Sequence, residues 1–394
     1  MSTPRSTLAV TWSSIFVVGI VCGAIGPLLP QLALRLSVPV EALGMIFPAI
    51  SAGSLVTQIA GGWLNERFGL RTMVLAGSAL MTLGIVGFAV SPTMALLLAS
   101  TCLIGLGQGA LDISTNVLVA AVFPKERVVS AVNLLHFAFG SGAVLGPVVA
   151  SAAMRQWGTP MPTMYLAAAI GLGIVVLGGK LLLSPAAGHD SDAQASAGGI
   201  YRSPALWLLA FLLFLYVGGE MGVGGWTTVY LTRTSALSAS AIALIVSGYW
   251  LALTGGRLIG AALGTRIRAG ALLLWCASGS LLGALVILAG GGNVMLTVAG
   301  TVLVGLCYGP IFPTAVVMAT ETFPSAQSRA VSLVVSLSSV GTMALPPLQG
   351  LLLERVSPLA SVGLVAAGAA AMVAVVVALR RGTALQAGSV ATST

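Results

Sequence analysis

Charged residues are scarce in this chain of 394 residues. They make up 7% of it, whereas hydrophobic residues make up 57%, and a soluble domain has about 25% charged residues. So little charge excludes a water-soluble globular protein. The composition instead predicts an all-α protein whose helices cross a membrane many times.

Cysteine is also rare, and the four cysteines all lie inside apolar runs. Their spacing fits neither metal ligands nor a disulfide framework, so we expect no metal and no cofactor. The sequence has no Walker loop, which excludes ATP as the direct energy source, and no soluble catalytic signature, so we do not expect an enzyme. The first apolar run is long and lacks a clear cleavage site, so we expect no cleavable signal peptide.

Twelve apolar runs are long enough to span a bilayer, which takes about 20 residues of helix. They cover residues 10–33, 42–63, 73–91, 94–122, 129–153, 162–183, 205–231, 239–264, 270–290, 294–319, 330–353 and 359–379.

The net charge of +8 comes mostly from short loops between these runs, so it does not indicate nucleic-acid binding. Basic residues collect in cytoplasmic loops. With both termini in the cytoplasm, twelve of the 17 Lys and Arg lie on that side and four on the other, while Arg257 lies inside a span. We therefore predict a multi-pass protein of the plasma membrane, of the bacterial inner-membrane type, with both termini in the cytoplasm. We also expect it to be a monomer in contact with membrane lipid.

The chain contains two similar halves. The stretch from Gly105 to Pro124 recurs from Gly305 to Pro324, but Phe312 stands where Asp112 would be. Further matches at an offset of 199 are Val18, Gly19, Gly26 and Leu32 with Val217, Gly218, Gly225 and Leu231, and Gly142 and Pro147 with Gly341 and Pro346. The repeat predicts two pseudo-symmetric six-helix bundles with different chemistry.

These halves are predicted to be residues 1–183 and 204–394, joined by a cytoplasmic linker at 184–203. The linker is small, polar and flexible in composition, and we interpret His189 within it as solvated. Parallel halves of this kind hold a solute near the membrane midplane between them.

The turn after the second span, GGWLNERFGLR, resembles the loop 2–3 signature of the major facilitator superfamily. Glu66 stands where the signature has Asp, and Leu70 replaces one basic residue. The resemblance implies a gating role for this loop, in which Glu66 approaches the N-terminus of span eleven and stabilises the outward-open state. The alternative is a basic cytoplasmic loop with a turn glycine. The matching positions are Gly62, Leu64, Arg67, Gly69 and Arg71.

Six further stretches resemble the fucose:proton symporter family and related sugar permeases. They are GPLLPQL, LDISTN, NLLHFAFGSGAVLGP, YVGGEMGVGGW, GGR and GPIFPT. Asp112, followed by Asn116, matches the acid that bears on transport in span four of that family. Gly26 occupies the place of the family's span-one acid, which departs from the pattern. The resemblance implies a transporter that moves a small polar solute, such as a sugar, with a proton.

Asp112 and Glu220 are the two acids inside predicted spans. An ionised group at mid-bilayer costs roughly 2.5–3.5 kcal/mol, so each must face protein or water. We predict that Asp112 couples transport to protons, and that Glu220 and His136 are further proton or substrate groups. The alternative for each is a structural hydrogen bond. Arg257 needs an acid or carbonyl partner and serves either gating or structure.

Polar and aromatic residues on spans one, four, five, seven, eight and ten are predicted to contact the solute. Packing against lipid or other helices is the alternative for the aromatic ones. The predicted set is Gln31, Gln108, Asn116, Asn133, Tyr216, Trp226, Trp250 and Tyr308. Helix breaks are expected at Pro27, Pro30, Pro310 and Pro313.

Three functions fit these observations. The favoured one is a secondary transporter that imports a solute with protons by alternating access. The second is a proton-driven exporter, because Gly142, Gly146 and Pro147 partly match the span-five antiporter signature, or an uncoupled facilitator. The third is a transporter-like receptor or scaffold. An extended soluble domain would favour this function, and we find none in the sequence.

Overall fold

A computed structural model describes residues 3–123, 125–181, 200–264, 266–324 and 326–391. Within these ranges the side chains of residues 62, 120–121, 125–134, 327–328 and 382–391 are outside the description. Most of the predicted linker and His189 also lie outside the described residues.

The described chain contains thirteen α-helices. They are α1 (Pro4–Leu36), α2 (Ile46–Phe68), α3 (Leu70–Val90), α4 (Met94–Val122), α5 (Lys125–Trp157), α6 (Pro162–Leu181), α7 (Pro204–Thr234), α8 (Ala239–Gly264), α9 (Ala269–Gly290), α10 (Val294–Tyr308), α11 (Ile311–Thr322), α12 (Gln327–Arg355) and α13 (Pro358–Ala391). Short 3₁₀ turns cover Val40–Met45 and Ile200–Arg202.

Twelve helical segments in the described chain are long and apolar enough to cross a membrane. The predicted all-α fold with twelve spans is therefore confirmed. Most bounds shift by a few residues, but α1 begins six residues before the predicted run and α13 ends twelve residues after it. The tenth span consists of two helices, α10 and α11, which are separated at Gly309 and Pro310.

Of the four predicted helix breaks, the structure contains the one at Pro310. The prediction was wrong for Pro27 and Pro30, since α1 continues through both. Close packing of α1 before and after these prolines supports the helix, which neighbouring helices make possible in membranes. It was also wrong for Pro313, which is the third residue of α11, where a backbone N–H has no partner within the helix anyway.

The chain divides into two compact units. The first comprises Met1–Asp190, Gly224–Thr232 and Ala236–Leu251, so it includes parts of α7 and α8 besides the first six helices. The second comprises Ser191–Val223, Arg233–Ser235 and Ala252–Thr394. In the first unit α1 packs on α5, and α4 packs on α2 and α3; in the second α9 packs on α10 and α13.

Each unit contains a helix pair in contact through glycine. A Cβ atom added at Gly19 of α1 would overlap the backbone of α5 around Gly142. In the second unit a Cβ atom added at Gly218 of α7 would lie 2.6 Å from the carbonyl oxygen of Gly341 on α12. Both pairs are equivalent positions of the sequence repeat, and small residues at these points let the helix backbones touch.

Candidate functional site

Asp112 lies on α4 in the first unit, where its side chain is half-buried. The side chain of Gln58 on α2 is a neutral neighbour of its carboxyl group. The Gln58 amide nitrogen donates to the Ser54 hydroxyl one turn earlier, at 2.9 Å. The acid therefore has a neutral polar neighbour on the adjacent helix.

Two further polar contacts join α2 to α4 on either side of this pair. The Thr57 hydroxyl donates to the Leu106 carbonyl oxygen at 3.1 Å, and the Ser114 hydroxyl donates to the Asn65 side-chain oxygen at 2.8 Å. Between them, Gly109 lies so close to α2 that an added Cβ atom would overlap the Ser54 carbonyl. We call this contact the α2–α4 seam. It holds the helix that carries Asp112 at a fixed distance from Gln58.

A second polar cluster lies in the second unit. Glu220 of α7 is 4% exposed, and its Oε1 atom lies 3.4 Å from a guanidinium nitrogen of Arg257, which is 24% exposed. Tyr216 lies one turn before Glu220 on the same helix and interacts electrostatically with its carboxyl group. The ring of Tyr308 meets that of Tyr216 edge-on, with centroids 5.4 Å apart. The predicted residues Tyr216, Glu220, Arg257 and Tyr308 thus form one group, which we call the Glu220 cluster.

The Glu220 cluster lies beside the break between α10 and α11. A Cβ atom added at Gly309 would lie 2.6 Å from the backbone nitrogen of Arg257, and one added at Gly260 would lie 2.6 Å from the Pro310 ring. Helix α8 therefore packs directly on the break. This packing fixes the height at which Arg257 faces α7.

The loop between α2 and α3 contains the predicted gating residues. Gly69 has φ of 80°, a conformation that favours glycine, and Arg71 donates to the carbonyl oxygen of Gly179 on α6. The Arg67 guanidinium lies over the rings of Trp63 and Phe68, at 5.2 Å and 5.6 Å. The Glu66 side chain is exposed, and the environment of Gly62 is outside the described part.

Trp226 and Trp250 are both buried within the first unit, at 0% and 1% exposure. Trp226 lies against Phe47, with ring centroids 6.4 Å apart. Trp250 meets Phe139 edge-on at 6.2 Å. In this conformation the rings pack on protein, so neither presents a face on which a sugar ring can stack.

Of the other predicted residues, Gln108 and Asn116 lie beside Asp112 on α4, whereas Gln31 and His136 lie elsewhere. Gln31 accepts a hydrogen bond from Thr159 in the connection between α5 and α6, at 2.8 Å, near the end of α1. His136 is exposed on α5. Gln108 lies on α4 one turn before Asp112 and is half-buried. Asn116 donates to the backbone carbonyl of Asp112 at 2.6 Å, and the Asn133 side chain lies outside the description.

The absence of an acid at Gly26, the span-one position, has a steric explanation. A Cβ atom added at Gly26 would lie 2.5 Å from the carbonyl oxygen of Gly224 on α7. Real Cβ atoms essentially never approach another atom that closely. An aspartate at position 26 therefore does not fit this conformation.

Gln58 and Ser54 are the main residues that the sequence analysis missed. Both are neutral and lie in an apolar run, so neither residue on its own indicates a functional site. Their spacing is the signal that could have found them, because residues four apart share one face of a helix.

Twelve apolar spans in the described part of the chain, with Asp112 and Glu220 inside two of them, are typical of a solute transporter. Comparison with known families agrees: the Major Facilitator Superfamily profile matches residues 11–235 and 209–389. The chain belongs to this superfamily of membrane transporters.

Several named proteins are similar to the chain at low identity. "Bypass of stop codon protein 6" of Saccharomyces cerevisiae is 24% identical over 373 residues, which cover 84% of this chain and 74% of the yeast protein. "Sodium-dependent glucose transporter 1" of Homo sapiens is 23% identical over 376 residues, which cover 86% and 72%. "Uncharacterized transporter y4wD" of Sinorhizobium fredii is 25% identical over 337 residues, which cover 85% and 88%.

Proposed function

We propose that this transporter moves a small polar solute, in particular a sugar, together with protons, by alternating access between two halves. The observation that supports it is the difference between the surroundings of the two acids inside the spans. Asp112 has the neutral neighbour Gln58, whereas Glu220 faces the cation Arg257. We assign proton coupling to Asp112 and solute binding to the Glu220 cluster.

Asp112 suits proton coupling because of its surroundings. Desolvation disfavours the charged form of a carboxyl group, and a nearby cation opposes that effect. Asp112 has its interaction with a neutral amide instead, so a proton can bind and leave without breaking an ion pair. Coupling requires only that the proton favours one conformation over the other, and about 1.4 kcal/mol shifts that equilibrium about tenfold.

The Glu220 cluster suits a neutral solute with several hydroxyl groups. Its carboxylate accepts hydrogen bonds and its guanidinium donates them, and the two charges compensate each other. The partly exposed Arg257 is the member of the cluster that meets the solute first. The name of the human relative includes glucose, which supports a sugar as the solute.

Replacing Asp112 with Asn tests the coupling. This change keeps the shape of the side chain and removes its titration. We expect uphill uptake driven by a pH gradient to be lost in proteoliposomes, while counterflow exchange of the solute continues. A thermal-shift screen of sugars and other small polar solutes on the purified protein identifies the solute to use.

Glu220→Gln is the matched control, because it neutralises the other buried acid. We expect it to weaken binding in the thermal-shift assay. If Asp112→Asn still concentrates the solute under a pH gradient, the proton route runs through Glu220 or His136. The name of the human relative includes sodium dependence, so a sodium gradient is tested as well. If wild-type uptake follows the sodium gradient and does not respond to pH, the transporter is coupled to sodium and not to protons.

Export is the second candidate. Gly142 and Gly146 partly match the antiporter signature, and in the structure both lie against the backbone of α1. This contact gives them a packing role that needs no export. Solute efflux from loaded vesicles against its gradient would favour the exporter.

A further inference from the structure

We propose that the first unit binds an anionic phospholipid where α6 ends, on the predicted cytoplasmic side of the membrane. Three helices each bring one cation to this place: Arg5 on α1, Arg71 on α3 and Lys180 on α6. We call them the α6-end cations. The ligand is a lipid and not the transported solute, so this inference does not depend on the proposed function.

Two side-chain contacts hold the starts of α1 and α3 at the end of α6. Arg71, in the first turn of α3, donates to the carbonyl oxygen of Gly179. The Ser6 hydroxyl, in the first turn of α1, donates to the carbonyl oxygen of Leu181 at 2.8 Å. Lys180 lies between these two carbonyl groups in the chain. The cations therefore come from three helix ends whose backbones are fixed relative to one another.

The α6-end cations carry more positive charge than the helix end requires. The C-terminus of a helix carries only about half a negative charge. Helices α1, α3 and α6 contain no Asp or Glu between their printed bounds, and in the part of the chain that the structure describes none of the three cations forms an ion pair. Arg5 and Lys180 are also exposed. About two positive charges therefore remain for an external anion.

The chemistry of these side chains fits a phosphate group. A guanidinium has five N–H donors, so the bond from Arg71 to Gly179 leaves further donors on the same group. An ammonium such as that of Lys180 binds phosphate as a point charge. Basic residues between helices on the cytoplasmic side are a general means of holding anionic lipid headgroups.

The surface of α6 that leads to Lys180 suits an acyl chain. Leu172, Val176 and Lys180 follow one another at four-residue spacing, so they share one side of the helix. Leu172 and Val176 are exposed, and a Cβ atom added at the adjacent Gly173 would have no neighbour within 4 Å. An apolar row that ends in a cation matches a phospholipid, with an acyl chain along the row and the phosphate at its end. A free phosphate ion would make no use of that row.

Native mass spectrometry of the delipidated full chain in detergent tests the proposal without a solute. The affinity for the first bound dioleoyl phosphatidylglycerol is measured in wild type, in Lys180→Gln and in the double variant Arg5→Gln with Lys180→Gln. The matched control is Arg266→Gln, because Arg266 is also exposed and lies between α8 and α9 on the same predicted side of the membrane. Dioleoyl phosphatidylcholine serves as the lipid without net charge.

We expect Lys180→Gln to bind phosphatidylglycerol about fivefold more weakly, because one basic residue near an anionic lipid surface contributes about 1 kcal/mol. The double variant should bind it about 25-fold more weakly, since two such contributions add. Arg266→Gln and Lys180→Arg, which keeps the charge, should bind as tightly as wild type. The affinity for phosphatidylcholine should be the same in all variants.

Three results would overturn the proposal. The first is an affinity for phosphatidylglycerol that is unchanged in the double variant. The second is a loss in Arg266→Gln or in Lys180→Arg as large as that in Lys180→Gln, because the effect would then come from overall charge or from the packing of α6. The third is displacement of phosphatidylglycerol by an equal concentration of inorganic phosphate, because the site would then bind a free anion and not a lipid.

Discussion

Replacing Arg257 with glutamine removes the guanidinium that lies 3.4 Å from Glu220. The carboxylate is 4% exposed, so the variant leaves a buried charge without its cation. Breaking a buried ion pair in this way typically costs 3–5 kcal/mol. Arg257 is 24% exposed and water can take its place, so we expect a loss of about 3 kcal/mol, at the low end of that range.

The converse change is expected to cost less. Glu220→Gln leaves Arg257 without the carboxylate, but a long arginine side chain can direct its charge toward water. We expect a loss of about 1 kcal/mol. The double variant Glu220→Gln with Arg257→Gln removes both charges and should be more stable than Arg257→Gln alone, as is found when both members of a buried pair are replaced.

The assay is thermal unfolding of the purified variants in detergent, compared at pH 8 and at pH 5. A protonated Glu220 carries no charge to be stranded, so the destabilisation in Arg257→Gln should be largest at pH 8 and should shrink toward pH 5. Equal losses for the two single variants would contradict the argument that Arg257 can direct its charge toward water. A loss for Arg257→Gln that does not change with pH would show that it does not arise from a charge left on Glu220.

Two further predictions concern stability. Gly69→Ala forces a side chain into a turn with φ of 80° and should cost about 1–3 kcal/mol of stability in thermal unfolding. The control is Gly173→Ala, where an added Cβ atom has no neighbour within 4 Å, and it should be neutral or stabilise by about 1 kcal/mol. Equal effects of the two variants would contradict the role of glycine in the turn. Arg35 donates to the carbonyl oxygens of Ala89 and Phe88 at 2.7 Å and 3.2 Å at the C-terminus of α3, so Arg35→Gln should cost about 1–2 kcal/mol. The control is Arg155→Gln, because Arg155 is exposed near the end of α5. This variant should change the free energy of unfolding by no more than about 0.5 kcal/mol. A loss as large as that of Arg35→Gln would mean that the effect comes from removing a positive charge near a helix end and not from the two hydrogen bonds of Arg35.

The fold was predictable because lipid imposes a simple rule on sequence. A segment must be apolar for about 20 residues to span the bilayer, and most ends of the predicted runs agree with the helices to within a few residues. The exceptions are the start of α1 and the end of α13, where the helix continues beyond the apolar run. Proline was less informative. Proline lies inside a continuous helix at Pro27, at a helix break at Pro310 and in the first turn of a helix at Pro313. Which of these occurs depends on packing against other helices, and the local sequence does not specify that packing.

The partners within the site were harder to predict than its members. Glu220 and Arg257 were each singled out, but their pairing depends on how α7 and α8 are rotated about their axes. Gln58 was missed because a neutral amide in an apolar run resembles any other tolerated polar residue. Trp226 and Trp250 were selected for their rings, and the sequence did not indicate that Phe47 and Phe139 pack on them.

The ion pair between Glu220 and Arg257 also affects how the chain enters the membrane. Glu220 lies fourteen residues before the end of α7 and Arg257 eighteen residues after the start of α8, which places them about 21 Å and about 27 Å from the turn that joins the helices. Each alone would make insertion of its helix costly, at roughly 2.5–3.5 kcal/mol. In a helical hairpin that inserts as one unit, the two charges lie at similar depth and can compensate each other. Asp112 has no cation within its own hairpin of α3 and α4 beyond Arg71 at the helix start, so that hairpin offers no comparable compensation for its ionised form.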